Sequence, residues 1–517
     1  MRPLIWLLED QLSPAATILT EAPDAPVLLV ESARTFAMLP YHKRRIAFMA
    51  AAGRHFAAEL HAAGREVHHH PLKPRGYKDS LAALGDAVKK TGAKEIWLLR
   101  PSEWHTQAWL ERIRGELPAE LVFFDNNLFL TDRDDFKSWA TSRKTPLMEF
   151  FYRGIRKRLD VLMEPDGTPT GGAWNFDKEN RKPAPADLTP PPPVRFEPDA
   201  VTTAALKEIA RRFPDNPGTL DDFALPVTRR HANAALQDFL DNRLDLFGDY
   251  EDAMLQRQPL LYHSHLAMLL NVGLLDPLAC VRAAEERYKA GKARLNSVEG
   301  FVRQIIGWRE YVYGIYWAFM PEYLTRNTRN ATGGVPEFLW SGETQMNCLH
   351  QTVKQLKASA YAHHIQRLMV LANFATMAGI EPQAMNDWFL SMFIDSHDWV
   401  MAPNVIGMGM NADHGTMATK PYVASANYIN RMSDYCDSCR YNPKARTGEE
   451  ACPFNFLYWG FLHDNRAQLG KNPRMNMILR NLDRMNDLPT LLAQRDNFVK
   501  LNVPKNPPRR ASPAAGC

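Results

Sequence analysis

Apolar and polar positions change their period once along this chain. Up to about residue 130, short apolar runs alternate with amphipathic stretches. Residues 4–8, 27–30, 66–68, 95–99 and 121–124 are predicted strands, since runs this short, bounded by polar turns, suit a pleated ribbon. Residues 43–63, 79–91 and 103–115 carry the helical period between them. Strands separated by helices imply a parallel sheet covered on both faces. Such sheets take ligands beyond the carboxyl ends of their strands, which points to Glu9, Asp10 and Gln11 after the first strand and Glu31 and Ser32 after the second. No glycine-rich phosphate loop accompanies them.

From about residue 174 to 198 the chain turns proline-rich, ending in Pro190-Pro191-Pro192-Pro193, and reads as a semi-rigid connector. Beyond it, residues 232–247, 260–275, 277–290, 297–319, 348–379 and 382–393 are predicted helices. The expected organisation is an α/β domain over 1–130, a connector over 131–200, a large helical domain over 201–500 and a disordered tail over 501–517.

With 517 residues, 45% hydrophobic and 23% charged, the composition is that of a globular protein with room for two or three cores. No run of about eighteen uncharged apolar residues predicts a membrane span. The net charge of +4 permits a polyanionic partner without requiring one. No secretory signal opens the chain, and six cysteines are too few for a disulfide scaffold, so a reducing, cytoplasmic compartment is expected.

Four of those cysteines form a pattern. Cys436 and Cys439 make a C-x-x-C pair, Cys452 is followed by Pro453, and Cys348 lies far upstream. Four thiolates approaching one centre suit an iron–sulfur cluster or structural zinc, and the spacing leaves both open. Cys280, in an apolar helical stretch, suits plain packing. Tyr262-His263-Ser264 offers donors for a phosphate, or a helix cap through Ser264. Arg303, Trp308, Arg309 and Glu310 share one amphipathic segment, for ligand contact or an internal salt bridge. His363 and His364 are adjacent inside a predicted helix, so they point about 100° apart. Each is a candidate proton donor.

Together these segments resemble the iron–sulfur bacterial cryptochromes and photolyases, the prokaryotic (6-4) photolyases. The likeness runs over nearly the whole chain: LEDQLS at 8–13, YHKRR at 41–45, YHSHLAMLLNVGLL at 262–275, EGFVRQIIGWREY at 299–311, SAYAHHIQR at 359–367, WVMAPNVIGM at 399–408, Lys420-Pro421-Tyr422, and the cysteine run. It implies an α/β antenna domain and a helical domain holding FAD. Tyr262, His263, Ser264, Asn271, Arg303, Arg309, Asp395, Asn404 and Met408 would line that cofactor and the lesion pocket. Asn404 would meet flavin N5. A [4Fe-4S] cluster would sit on Cys348, Cys436, Cys439 and Cys452, and a 6,7-dimethyl-8-ribityllumazine antenna on Asp10, Gln11 and Glu31.

The activity implied is light-driven repair of (6-4) lesions in UV-damaged DNA by a monomer. His364 would donate the proton beside His363 and Tyr422, and Trp340 and Trp388 would relay electrons. Basic clusters at Arg153-Arg156-Lys157-Arg158 and Arg229-Arg230 are candidate DNA contacts. Departures from the family pattern stand at Glu9 (glycine in relatives), Phe389 (tyrosine), Ser396-His397-Asp398 (Ala-Tyr-Glu) and His414 (glycine). A blue-light receptor without repair activity, or a photolyase for cyclobutane dimers, is the alternative reading.

Overall fold

A computed structural model describes residues 2–72, 80–185 and 187–506. Five strands, β1 (Leu4–Leu7), β2 (Val27–Val30), β3 (Val67–His70), β4 (Glu95–Leu99) and β5 (Glu120–Phe124), pair in the order β3-β2-β1-β4-β5. Every pairing is parallel, with Ile5 opposite Val27 on one side and Trp97 on the other. The sheet alternates as a doubly covered sheet must. Ile5, Leu7, Val27, Leu29 and Leu99 face a core shared with the helix Lys43–Ala62 and much of the helical half. Leu4, Trp6, Leu28, Ile96 and Leu98 face the helices Ser80–Thr91 and Trp104–Ile113. The strand order reverses between β1 and β4, which brings Glu9 and Asp10 beside Ser102 and Glu103 at the carboxyl edge.

The remainder is helical, and three of its segments differ from the periodic expectation. The stretch 260–275 is helical only over Ala267–Asn271. Leu261 (φ 48°) and His265 (φ 58°) adopt left-handed backbone, which no continuous α-helix accommodates. The expected helix 348–379 stops at Ser359, because Ala360 is also left-handed (φ 57°). Helix resumes at residue 364, so His363 precedes it and His364 opens it; the two do not share a helix interior. Third, the segments Arg303–Arg309, Gln366–Ala372 and Pro403–Gly409 are π-helical, a geometry enriched at functional sites.

At the carboxyl end the helix Leu488–Asn502 continues into Lys505, which bridges Gly333. The expected tail therefore begins later than residue 501, since 501–506 are tied to the helical domain; residues 507–517 lie outside the described residues. Among the described residues no helix is long and apolar enough to cross a membrane.

Candidate functional site

The four cysteines converge. Cys348 sits in the first turn of the helix Asn347–Ser359, and Cys452 caps the helix Pro453–Asp464. Cys436 and Cys439 lie in the loop after the helix Ala426–Met432. All four line one cavity with Met346, Ala426, Ile429, Tyr435, Tyr441 and Phe454. None is in a disulfide. Burial pushes the Cys436 and Cys452 thiols up to about 12 and holds Cys348 well above the usual thiol range, and the neighbouring thiols raise each of them again. Four thiolates so placed need a cationic centre between them, because little but the helix starts behind Cys348 and Cys452 offers positive potential. Among the described residues no three His, Cys, Asp or Glu side chains close on one ion.

A second constellation occupies the middle of the helical half. Arg367 grips both oxygens of Asp395 at 3.1 and 3.0 Å, and Asn271 Nδ2 donates to the Asp395 carbonyl at 2.9 Å. Phe393 lies 4.2 Å beneath the guanidinium. Four imidazoles gather around this pair. His263 stacks on His363 at 4.5 Å and 12°, and His265 meets Tyr361 edge-on at 4.4 Å. Burial lowers His263 to about 3 and His265 to about 4, and holds His363 well below the usual imidazole range, with neighbouring His and Arg charges adding to it. His263 Nε2, His265 Nε2 and His363 Nδ1 are buried without a protein partner.

His364 differs from these three. It is open to water while protein surrounds it, so it lines a concavity; burial and the Arg367 charge lower it to about 4. Asn404 commits its Nδ2 to Val400 O at 2.8 Å, leaving its carbonyl oxygen as an acceptor for a ligand N–H. Buried neutral imidazoles with free nitrogens, beside a fixed carboxylate, form a polar cradle of the kind a heteroaromatic cofactor satisfies.

Aromatic rings connect this cradle to the surface. Arg367 covers Phe393, which stacks on Phe389 at 5.0 Å, and Phe389 meets Trp388 at 5.3 Å. Trp388, fully buried, meets the partly exposed Trp340 at 6.4 Å.

Other candidates are placed elsewhere. Arg303 is ion-paired with Asp177 at 3.3 Å, Glu299 at 3.4 Å and Glu251 at 3.8 Å. Arg309 bonds Glu310 at 2.6 Å and lies over Phe129. Both are therefore internal salt bridges, because a buried guanidinium without a carboxylate is prohibitively costly. Ser264 Oγ accepts from Leu266 N at 3.4 Å, a local turn rather than a helix cap. Tyr262 is buried against Tyr250 at 5.7 Å, and Met408 lies within the helical core. Tyr422 is 37% exposed, near Asp177 and Arg181.

Of the basic clusters, Arg156 is spent on the carbonyls of Val161, Leu162 and Trp174, and Arg229 on those of Leu12 and Leu274. Neither is available to phosphate. The antenna candidates are similarly engaged. Gln11 is fully buried and joins Leu99 O to Leu8 N, and Glu31 takes Arg54, His69 and Leu72 N. Sequence reading did not single out Arg367, His265 or Tyr361. Only the spacing of Arg367, one turn after His364, hinted at a shared site.

Comparison with known proteins agrees with this geometry. Residues 5–225 match the model of the deoxyribodipyrimidine photo-lyase-related protein family. Over 478 residues, covering 92% of this chain and 94% of the relative, it is 44% identical to the (6-4) photolyase of Agrobacterium fabrum. Its fold matches a bacterial class III photolyase from Agrobacterium tumefaciens at TM-score 0.55, with 17% identity and coverage of 84% and 86% of the two chains. It also matches the Synechocystis cryptochrome at 0.54, with 15% identity and coverage of 98% and 96%. The 44% identity over nearly the whole length of both chains establishes that the chain belongs to the bacterial (6-4) photolyase family of the cryptochrome/photolyase superfamily.

Proposed function

We propose that the chain repairs (6-4) pyrimidine–pyrimidone lesions in UV-damaged DNA under blue light, with FAD in the cradle around Asp395. The observation that carries this reading is the polar lining itself, free imidazole nitrogens beside the clamped Asp395. FAD would supply the photoexcited one-electron chemistry. Asp395, held by Arg367 and Asn271, would present a fixed acceptor edge to the cofactor, and Asn404 would accept an N–H through its carbonyl oxygen. The Trp388–Trp340 pair provides oxidisable rings leading outward. Phe389 resists oxidation, so the route passes through Trp388 rather than its neighbour.

His364 is the donor this reading requires. It faces the open concavity, whereas His363 and His263 are stacked inside. Burial and Arg367 both disfavour its protonated form, so a proton on His364 is stabilised only when anionic groups of the substrate approach. A flipped base brings its own phosphates to this mouth, which couples proton loading to lesion docking. Tyr422, exposed at its ring, would flank the extruded lesion.

Cys348, Cys436, Cys439 and Cys452 would hold a [4Fe-4S] cluster in this proposal, supported by all four lining one cavity. The low affinity of His364 for a proton also favours a second reading, a photoreceptor that does not transfer protons to DNA.

The experiment is illumination of reduced holoprotein with an oligonucleotide carrying one (6-4) lesion. Restored pyrimidines are expected, with repair in the wild type rising as pH falls from 8 to 6, since more His364 is then protonated. His364→Ala is expected to lose repair while flavin photoreduction continues. Absence of repair by the wild type refutes the photolyase reading in favour of the receptor, and retention of repair by His364→Ala refutes the donor assignment.

A further inference from the structure

A short basic segment beyond the helix Pro453–Asp464 has no role in the repair reading. Asn472 donates to the Thr419 carbonyl at 2.9 Å and Arg474 to the Thr419 hydroxyl at 3.1 Å. The turn Pro473–Met475 is thereby tied to the loop that carries Lys420 and Tyr422. Burial raises the Tyr422 phenol and Asp177 raises it further, while Arg181 and Arg474 pull the other way, so guanidiniums from two separate segments lie near this ring.

The helix Asn476–Asp483 follows the turn and buries Leu479 and Leu482 in the helical core. Its opposite face is set by the helical period. Arg474, Met477, Arg480 and Arg484, three or four residues apart, form one exposed stripe, in which Met477 is 78% exposed. Two acids share this stretch, and both are taken by cations off the stripe: Asp483 by Arg466 at 2.6 Å and Asp487 by Arg446 at 3.4 Å. Among the described residues, none of Lys471, Arg474, Arg480 and Arg484 forms an ion pair. Arg156 and Arg229, by contrast, are held by backbone carbonyls. A row of like charges repels itself, and a polyanion laid along it relieves the repulsion. The eight residues of the helix span about 12 Å, roughly the axial length of three to four phosphates of one strand. A methionine left this exposed among guanidiniums suits a contact face.

We propose that Arg474, Arg480 and Arg484 form a track for the sugar–phosphate backbone of DNA flanking the lesion. The inference rests on the repair reading, which puts the lesion beside Tyr422. Contacts of this kind add affinity without selecting a sequence or a lesion.

The test is fluorescence anisotropy in the dark, with full-length holoprotein and a labelled duplex, either undamaged or carrying one (6-4) lesion, over a series of salt concentrations. Arg480→Gln/Arg484→Gln removes two charges from the exposed face. Losing two phosphate contacts is expected to flatten the slope of log K against log salt by about 1.8, or roughly 60-fold in affinity at about 0.1 M salt for curves that converge at about 1 M. Both duplexes are expected to lose equally. Arg480→Lys/Arg484→Lys keeps the charge and is expected to keep the slope. Lys89→Gln/Lys90→Gln makes the same change of net charge on the helix Ser80–Thr91 and is expected to leave the slope as in the wild type. A slope for the Gln pair within about 0.5 of wild type, an equal flattening by the Lys89 and Lys90 changes, or a wild type that binds neither duplex overturns the track. Binding is read without light, so the two readings fail separately. A flattened slope without restored pyrimidines on illumination upholds the track and refutes repair, and restored pyrimidines with an unchanged slope do the reverse.

Discussion

Replacing Asp395 by Asn leaves its shape intact and removes the charge that holds Arg367. The guanidinium is then left with the Ala362 carbonyl at 2.7 Å and the rings of Phe393 and Tyr361. The pair is only 17% and 10% exposed at its two side chains. Removing one partner of a buried pair costs about 3–5 kcal/mol, because the survivor stays buried and uncompensated. The remaining exposure of Arg367 places the expected loss at the low end, about 3 kcal/mol. That is roughly a 150-fold change in the unfolding equilibrium. The assay is urea titration of the holoprotein followed by flavin fluorescence and far-UV circular dichroism, for Asp395→Asn, Arg367→Gln and the double variant. The double variant is expected to lose less than the sum of the single losses, since each single strands one charge or dipole that the double does not. Strict additivity, or a loss below about 1 kcal/mol for Asp395→Asn, refutes the claim that Asp395 is held by this clamp.

Two further outcomes follow from the same structure. Cys348→Ser is expected to lower bound iron and bleach the broad cluster absorption, measured by metal analysis and visible spectroscopy, because Cys348 is the thiol that the helix Asn347–Ser359 contributes to the cavity; iron content equal to wild type counts against the four-cysteine site. Trp388→Phe is expected to slow light-driven flavin reduction at least tenfold in a thiol buffer, followed by the loss of oxidised-flavin absorbance, since it interrupts the ring contact at 6.4 Å; an unchanged rate means that electrons enter by another path.

Much of the architecture was legible from residue patterns. All five strands lie where short apolar runs were bounded by polar turns, and β1, β2, β4 and β5 agree with expectation to within a residue at each end. The C-x-x-C pair, the Cys-Pro and Cys348 were legible because thiols are few, and their chemistry narrows what the spacing can mean. Periodicity failed where backbone torsion departs from helix. Leu261, His265 and Ala360 are neither glycine nor proline, so nothing in their identity announces the left-handed angles they adopt.

Charged side chains were the hardest to place, for a related reason. Arg303, Arg309, Arg156 and Glu31 look like ligand-binding groups in a linear chain, and each is consumed by partners distant in sequence: Arg303 by Asp177, Arg309 by Leu128 O, Arg156 by Trp174 O, Glu31 by Leu72 N. Hydrophobic periodicity and covalent chemistry are local properties, and they specify which segments form strands and helices and which thiols can bind metal. Whether a buried charge faces a cofactor or a neighbouring carboxylate depends on which surfaces meet after the chain closes. Folding thus left His263, His265, His363 and Asn404 with polar atoms to offer, and engaged both ends of Gln11 and the carboxylate of Glu31.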